Sequence, residues 1–194
     1  MSKLYFRYGA MNCGKSTALM QVAYNYEANN KKVCVIKSVI DTKGGDSLES
    51  RIGLTRKVDL LLKSGESLEK YYENLKNVDC ILVDEAQFLE KERVDELFYI
   101  TKMFNVPVIC YGLRTDFKSE LFTGSKRLLE LADELEELIT ICRCGKRAKF
   151  NGRYVNDEFT LDGETVKIDG SDDVVKYVPL CGKCYIEEIE KRKN

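Results

Sequence analysis

Residues 4–18 have the sequence LYFRYGAMNCGKSTA, and this stretch decides the fold. A β-type run ends at Gly9, the spacing from Gly9 to Ser16 is G-x-x-x-x-G-K-S, and a helical pattern follows. Glycine lets successive backbone N–H groups turn inward toward phosphate oxygens, and the following helix points its positive dipole end at the same anion. The alternative interpretation is a glycine-containing turn between a strand and a helix that is followed by Lys-Ser by chance. The intact eight-residue pattern argues against it, so the stretch predicts a site for a nucleoside triphosphate.

The side chains of this loop have separate predicted roles. Lys15 brings a full positive charge toward the outer phosphates, and the Ser16 hydroxyl suits a magnesium ion bound to them. ATP and Mg²⁺ are therefore the expected ligands. The predicted nucleotide-binding loop consists of Gly9, Ala10, Met11, Asn12, Cys13, Gly14, Lys15, Ser16 and Thr17.

Composition limits the classes of partner. The chain of 194 residues has 31 basic and 32 acidic residues, so no basic excess favours a nucleic-acid partner, and a small substrate is expected. The first residues, MSKLYF, lack the charged and apolar regions of a signal peptide, and no apolar run approaches the ~18 residues of a membrane span. We therefore expect a cytoplasmic protein with no membrane partner.

Strand and helix patterns alternate along most of the chain. The predicted helices are residues 17–29, 67–75, 90–104 and 124–138, the last from leucines at three- and four-residue spacing. The predicted strands are residues 4–8, 33–38, 58–62, 79–85, 107–112 and 138–141, the third of them within a long polar loop over residues 39–66. Such alternation predicts an α/β fold, in which a mostly parallel sheet is flanked by helices on both faces.

One buried-type strand ends in two carboxylates. Residues 81–88 have the sequence ILVDEAQF, and Asp84 would lie at the carboxyl edge of the sheet, where it can hold Mg²⁺ together with Ser16. The chain contains no histidine, so carboxylates are the leading candidates for taking a proton from an acceptor hydroxyl in phosphoryl transfer. Glu85 stands beside the predicted metal ligand, although a solvated acidic turn is the alternative interpretation for it.

Four of the eight cysteines form two close pairs near the C-terminus. In a cytoplasmic chain such pairs favour metal binding over disulfides. Four thiolates suit the tetrahedral coordination of zinc and leave no open ligand position, so the pairs predict a structural zinc site. From Cys142 the segments also become short and turn-rich. The predicted division is a nucleotide-binding domain over residues 1–141 and a zinc-binding domain over residues 142–194. The zinc ligands would be Cys142, Cys144, Cys181 and Cys184.

Together these motifs resemble those of the thymidine kinases of the tetrameric, zinc-containing class. GAMNCGKS at residues 9–16, DEAQF at 84–88, GLRTDF at 112–117 and the paired C-terminal cysteines occur in the order that this family has. The resemblance covers nearly the whole chain, from Leu4 to about Tyr185. It implies a RecA-like P-loop sheet flanked by helices, with a small zinc-binding lasso domain at the C-terminus.

The resemblance also implies a reaction. The expected activity is ATP-dependent phosphorylation of thymidine, and of deoxyuridine, at the 5′-hydroxyl, giving dTMP and ADP in nucleoside salvage for DNA synthesis. Glu85 matches the family's proton acceptor, Lys15 is the second expected catalytic residue, and both belong to the nucleotide site together with Asp84, Ala86 and Gln87. The family further implies a homotetramer and feedback inhibition by dTTP.

The nucleoside would lie beneath a lasso over residues 150–176, whose main chain would hydrogen-bond the base. Core packing is the competing interpretation for the aromatic residues of this set. For Phe117 the flanking charges of Asp116 and Lys118 favour a surface or site position. The residues that the resemblance implies for nucleoside binding are Met11, Asp41, Phe88, Leu113, Phe117, Phe122, Asn151, Ile168, Asp169, Gly170, Ser171 and Tyr177.

The chain departs from the family pattern in the loops around this site. Ala10 stands where the family usually has proline, and Arg51 stands where histidine is common after serine. Lys43 replaces the arginine of an Asp-x-Arg pattern, and it keeps the charge but not the bidentate geometry toward phosphate. We expect these changes to affect the loop over residues 39–56 and catalytic efficiency more than the reaction type.

Two other functions fit parts of the sequence. DEAQ after a strand also resembles the second nucleotide motif of helicases, and in an ATP-driven motor Glu85 would activate water. The short chain, the lack of a second motor domain and the balanced charge oppose that interpretation. A regulatory zinc module that only binds nucleotide is the third possibility, and the intact set of Lys15, Ser16, Asp84 and Glu85 argues against it.

Overall fold

The computed structural model describes residues 1–39, 45–163 and 174–193. The first eight strands are β1 (Leu4–Gly9), β2 (Val33–Val39), β3 (Ser47–Glu49), β4 (Thr55–Lys57), β5 (Leu60–Lys63), β6 (Cys80–Asp84), β7 (Val108–Leu113) and β8 (Glu134–Glu137). β3 and β4 form a separate hairpin. The other six form one sheet in the order β5-β2-β6-β7-β1-β8, and every neighbouring pair in it is parallel.

Helices cover both faces of this sheet. Along β6 the side chains alternate, so that Ile81 and Val83 belong to one apolar cluster while Leu82 belongs to the other. The cluster around Leu82 includes Leu19 of α1, and the cluster around Ile81 includes residues of α3 and α4. The predicted α/β fold is therefore confirmed. The helices are α1 (Lys15–Glu27), α2 (Tyr72–Leu75), α3 (Lys91–Met103) and α4 (Thr123–Leu131), with 3₁₀ turns at Glu69–Tyr71 and Ala86–Phe88.

The strand order places the nucleotide motifs on one edge of the sheet. β7 lies between β1 and β6, with Cys110 paired to both Phe6 and Val83. Because the carboxyl ends of parallel strands meet at the same edge, the loop after β1 and the acidic turn after β6 lie side by side, two strand spacings or roughly 10 Å apart.

The helix predicted over residues 124–138 is too long. α4 ends at Leu131, the backbone is extended at Ala132 (ψ 135°), and the chain continues into β8 beside β1. Asp133 makes this turn possible: its N–H donates to the Leu4 carbonyl (2.8 Å), and its carboxylate accepts the Leu4 N–H (2.7 Å). Leu135 continues the leucine spacing but is half exposed at the sheet edge.

The polar loop predicted over residues 39–66 contains more structure than its composition indicates. The hairpin formed by β3 and β4 packs on α1, where Leu48 is buried in the apolar cluster around Leu19. The Arg56 guanidinium binds the Glu27 carboxylate through two hydrogen bonds, of 2.7 and 2.9 Å. The hairpin is therefore anchored at its base, and its turn projects over the phosphate loop.

The C-terminal part has its own sheet and apolar cluster. β11 (Phe150–Val155) pairs antiparallel with β12 (Glu158–Thr160) and β13 (Val175–Leu180), beside a small hairpin of β9 (Thr140–Ile141) and β10 (Arg147–Ala148) and the final helix α5 (Gly182–Lys193). Three of the paired cysteines lie in this cluster with Tyr185 and Leu180. No helix among the described residues is long and apolar enough to cross a membrane.

Candidate active site

The loop after β1 has the backbone of a phosphate-binding turn. Asn12 and Gly14 both take left-handed conformations, with φ of 65° and 80°, which turn neighbouring N–H groups toward a common centre. α1 begins directly afterwards, with the Ala18 N–H donating to the Gly14 carbonyl (2.9 Å). The Lys15 ammonium donates to the Ala10 carbonyl (3.1 Å), which keeps the charge over the loop.

A cleft of about 330 Å³ opens over this loop. Three parts of the chain form its walls: the phosphate loop with the start of α1, the ends of β6 and β7, and the turn of the β3–β4 hairpin. This volume is within the range of small-molecule sites. The cleft is lined by Met11, Asn12, Gly14, Lys15, Ser16, Thr17, Glu49, Arg51, Ile52, Glu85 and Leu113.

The two carboxylates at the end of β6 have different surroundings. Asp84 is only 4% exposed, and burial together with the charge of Glu85 raises the pKa of Asp84 to about 7, although Lys15 and Lys37 oppose the shift. A buried carboxylate that resists ionisation gains a great deal from a cation placed beside it. Asp84 is thus suited to hold a metal ion.

Glu85 has an unusual backbone conformation, and its side chain is hydrogen-bonded to Gln87. Its φ of 53° is left-handed, a conformation that costs free energy for a residue other than glycine and that is concentrated at functional sites. The side-chain NH₂ group of Gln87 donates to the Glu85 carboxylate (2.5 Å), and the side-chain oxygen Oε1 of Gln87 accepts the Leu113 N–H (3.0 Å). Gln87 is 1% exposed, so this link between the ends of β6 and β7 is shielded from solvent.

α4 supports the acidic turn from behind. A Cβ on Gly124 would lie 2.3 Å from the Ala86 carbonyl oxygen and 2.8 Å from that of Leu89, so only glycine permits this approach of helix and turn. The hydroxyl of buried Ser125 donates to the Leu113 carbonyl (2.5 Å). α4 therefore holds both strand ends that carry the site.

The predicted nucleoside residues do not all lie in one place. Met11 and Leu113 line the cleft. Phe88 and Phe122 meet edge to face, with ring centroids 5.6 Å apart, and line a second cavity of about 610 Å³, which shares no lining residue with the cleft. Tyr177 is half-buried on β13, opposite Arg153.

Phe117 is buried, although the charges of its neighbours in the sequence favoured a surface or site position. Its side chain is 1% exposed, and the Arg153 guanidinium lies 4.8 Å from the ring centroid. Its carbonyl oxygen accepts a hydrogen bond from the Tyr185 hydroxyl (2.5 Å). Six residues named from the sequence lie outside the described residues: Asp41, Lys43, Ile168, Asp169, Gly170 and Ser171.

Asn151 connects the C-terminal sheet to the phosphate loop. Its side chain is buried, its carbonyl oxygen accepts the Met11 N–H (2.8 Å), and its amide donates to the Thr115 carbonyl (3.0 Å). Residue spacing gives no signal for such a link, because all three partners are distant in sequence.

The four paired cysteines converge on one point. Their sulfur atoms all lie within 4.8 Å of one another, and those of Cys144 and Cys181 are 3.5 Å apart. Tetrahedral Zn–S bonds of about 2.3 Å place the sulfurs about 3.8 Å apart, so the cluster fits a zinc ion. Burial raises the pKa of Cys142. Hydrogen bonds from the backbone N–H groups of Cys144 and Cys181 outweigh this effect and lower the pKa to about 6.

The turn of the β3–β4 hairpin supplies cleft residues that the sequence motifs do not include. Glu49, Arg51 and Ile52 face the phosphate loop. The turn closes through a hydrogen bond from the Ser50 N–H to the Leu54 carbonyl (2.8 Å). The sequence gives only a weak signal for this turn, since a glycine such as Gly53 is common in polar loops.

The comparison with known protein families agrees with this arrangement. The family model described as thymidine kinase matches residues 2–185. The chain belongs to the thymidine kinase family. A thymidine kinase of Mannheimia succiniciproducens is 44% identical over 198 residues, which cover all of both chains. Thymidine kinases of Pasteurella multocida and Haemophilus influenzae are also 44% identical, over 97% of this chain and 99% and 98% of theirs.

Among solved structures, AMPPCP-bound DnaA from Aquifex aeolicus matches 71% of this chain and 41% of its own, at 19% identity and a TM-score of 0.45. That likeness is too low to support an argument about function. The full-length relatives do support one: the protein is an enzyme, a kinase of the P-loop type, and the resemblance inferred from the motifs is confirmed. Membership in this family argues against the two alternative interpretations, an ATP-driven motor and a non-catalytic zinc module.

Proposed function

We propose that this enzyme transfers the γ-phosphoryl group of ATP to the 5′-hydroxyl of thymidine, and of deoxyuridine, giving dTMP and ADP for nucleoside salvage. One observation carries the proposal: a phosphate loop and an oriented carboxylate, Glu85, line the same cleft. Family membership supports the choice of a nucleoside as acceptor.

The phosphate side of the cleft would bind the triphosphate. The loop N–H groups and the Lys15 ammonium would neutralise charge on the outer phosphates, as in other P-loop enzymes. The Ser16 hydroxyl and the Asp84 carboxylate are oxygen donors of the kind that Mg²⁺ prefers, and they would hold it. When bound, Mg²⁺ supplies charge neutralisation at the phosphates. Ala86 and Gln87, which are also predicted members of the nucleotide site, lie in the 3₁₀ turn that follows Glu85.

Glu85 would take the proton of the acceptor hydroxyl. Its carboxylate lines the cleft with Lys15, and Gln87 holds it in one orientation. Phosphoryl transfer needs little covalent chemistry from the protein, so positioning and electrostatics would provide most of the rate enhancement.

The nucleoside would bind beside Glu85. Met11 and Leu113 provide apolar surface in the cleft, and Phe88 and Phe122 form an edge-to-face pair that lines a second cavity. Flat aromatic faces suit a pyrimidine base. We further assign to this site Asp41, Phe117, Tyr177 and the lasso residues Ile168, Asp169, Gly170 and Ser171, on the family resemblance alone.

The cysteine cluster would hold a structural zinc ion. Because Cys142 and Cys144 precede the lasso while Cys181 and Cys184 follow it, a bound metal would fix both of its ends. The division into domains at residue 142, a cytoplasmic location, a homotetramer and feedback inhibition by dTTP complete the proposal, and all of them rest on sequence patterns and the family resemblance.

Measurement of ADP release tests the proposal directly. Purified enzyme with Mg²⁺ and ATP is assayed with thymidine, with single-stranded DNA and with neither. We expect turnover only with the nucleoside, and a panel with deoxyuridine and deoxycytidine then ranks acceptors. DNA-stimulated turnover that needs no nucleoside would refute the kinase assignment.

A further inference from the structure

Asn151 is the one buried side chain of the C-terminal sheet whose described hydrogen bonds join the phosphate loop to the segment after β7. It is 3% exposed. Its carbonyl oxygen accepts the Met11 N–H (2.8 Å), and its NH₂ group donates to the Thr115 carbonyl (3.0 Å). Both partners are backbone groups, so the bonds fix the path of two chain segments rather than the rotamers of two side chains.

Both segments belong to the site. Met11 lies inside the phosphate loop and lines the cleft. Thr115 follows β7, is 7% exposed, and forms an isolated bridge to Leu121, so its segment is itself held in place. An amide is the side chain suited to this position, because one of its ends accepts from an N–H while the other donates to a carbonyl.

The C-terminal sheet fixes Asn151 in turn. Asn151 is paired with Pro179 on β13, two residues before Cys181. The preceding residue, Phe150, is paired with Leu180 and stacks on Tyr185 with ring centroids 5.0 Å apart. The cysteine cluster, β13 and β11 thus form a continuous packed support that ends at the amide of Asn151.

We propose that Asn151 is a positioning residue for ATP: by holding Met11 relative to Thr115, it sets the curvature of the phosphate loop. This inference rests on the proposed function in taking ATP as the phosphoryl donor. It differs from the nucleoside contact that the family resemblance implies for Asn151, because both described hydrogen bonds of its side chain go to backbone groups of the protein. Loss of the amide would leave a partly buried N–H and a buried carbonyl unpaired, and the loop would relax to satisfy them.

The test compares Asn151→Leu and Asn151→Ala with the parent enzyme. Leucine keeps the volume of the side chain and removes both bonds, whereas alanine also leaves a cavity, so leucine keeps the test valid if alanine fails to fold. We expect both variants to bind a non-hydrolysable ATP analogue about 10-fold more weakly in calorimetry without nucleoside. In the kinase assay the KM for ATP should rise and kcat should fall, while the KM for thymidine changes less than about threefold.

Asn156→Gly is the matched control. Asn156 lies beyond the other end of β11, its carbonyl oxygen accepts the Val174 N–H (3.0 Å), and its positive φ of 51° suits glycine. This variant should bind the ATP analogue as the parent enzyme does.

Two results would overturn the proposal. Unchanged analogue affinity with a raised KM for thymidine would show direct contact with the nucleoside, and unchanged analogue affinity with only a lower Tm would show a merely structural role. Failure of the parent enzyme to phosphorylate thymidine would refute the proposed function instead, and the ATP-analogue comparison would still decide the role of Asn151.

Discussion

Gln87 donates its side-chain amide to the carboxylate of Glu85 at 2.5 Å. The same side chain accepts the Leu113 N–H, so the acid at the end of β6 is oriented from the end of β7. A carboxylate that is hydrogen-bonded in this way and lines the same cleft as the phosphate loop is suited to accept a proton in phosphoryl transfer.

Glu85→Gln should lower kcat by about 10²- to 10⁴-fold, because the amide cannot take the proton of the acceptor hydroxyl. Binding of an ATP analogue should stay close to that of the parent enzyme. Steady-state kinetics and calorimetry measure the two effects. Glu92→Gln, at an exposed acid on α3, serves as the control with normal turnover. Near-normal turnover of the Glu85 variant would place the proton acceptor elsewhere.

Arg51→Ala should raise the KM for ATP about 10-fold while leaving the KM for thymidine near its original value. Arg51 lines the cleft with Lys15, and a guanidinium there can form charge-assisted hydrogen bonds to phosphate oxygens. Lys57→Ala removes a cation from the same hairpin, at a side chain that is 79% exposed and paired with Asp46 outside the cleft. If both variants behave alike, the effect of Arg51 is one of general charge.

Purified protein should contain zinc in a stoichiometric amount by elemental analysis. Its removal by a chelator should lower Tm and raise the KM for the nucleoside, because the support of the lasso is lost. Cys184→Ser should reduce the zinc content, whereas Cys34→Ser, at a cysteine outside the cluster, should not. Protein free of zinc as isolated would contradict the assignment.

Gly124→Ala should destabilise the fold by about 1–3 kcal/mol, because the new methyl group would overlap backbone carbonyl oxygens of residues 86 and 89 that cannot rotate away. Thermal unfolding measures the change. At Gly45 a Cβ meets nothing within 4 Å, so Gly45→Ala should stay within about 0.5 kcal/mol of the parent. Equal stability of the two variants would show that α4 can move away from the acidic turn.

Stability should fall in acid partly through Glu66. Hydrogen bonds from Lys70, from the Lys63 N–H and from the Tyr71 hydroxyl lower the pKa of Glu66 from 4.5 to about 2. A depressed folded-state pKa contributes stability that is complete above pH 4.5 and is lost as pH falls toward 2.

Glu66→Gln should therefore be less stable than the parent enzyme at pH 7, with a difference that shrinks between pH 4.5 and 2. Denaturant unfolding at several pH values measures it. Glu69→Gln, at an exposed acid nearby, should follow the parent at every pH. A difference between the Glu66 variant and the parent that does not depend on pH would show that the carboxylate contributes through packing alone.

Much of the architecture can be predicted from short patterns. The order of strands and helices, the parallel sheet and the family follow from local periodicity and from motifs of a few residues, because each depends on neighbours in the chain. The pattern failed at residues 124–138, where Leu135 continues a helical spacing but lies in an edge strand. There the hydrogen bonds between Asp133 and Leu4, 129 residues apart, outweigh helix propensity.

The sequence by itself determined that this protein has a phosphate loop, an acidic strand end and two cysteine pairs, since fixed spacing along the chain encodes each of them. Only the tertiary structure decided that Gln87 orients Glu85, that the hairpin turn brings Arg51 into the cleft, and that Asn151 joins Met11 to Thr115. The physical reason is distance along the chain: those contacts depend on how separate strands pack, and no local pattern records which buried polar group will meet which.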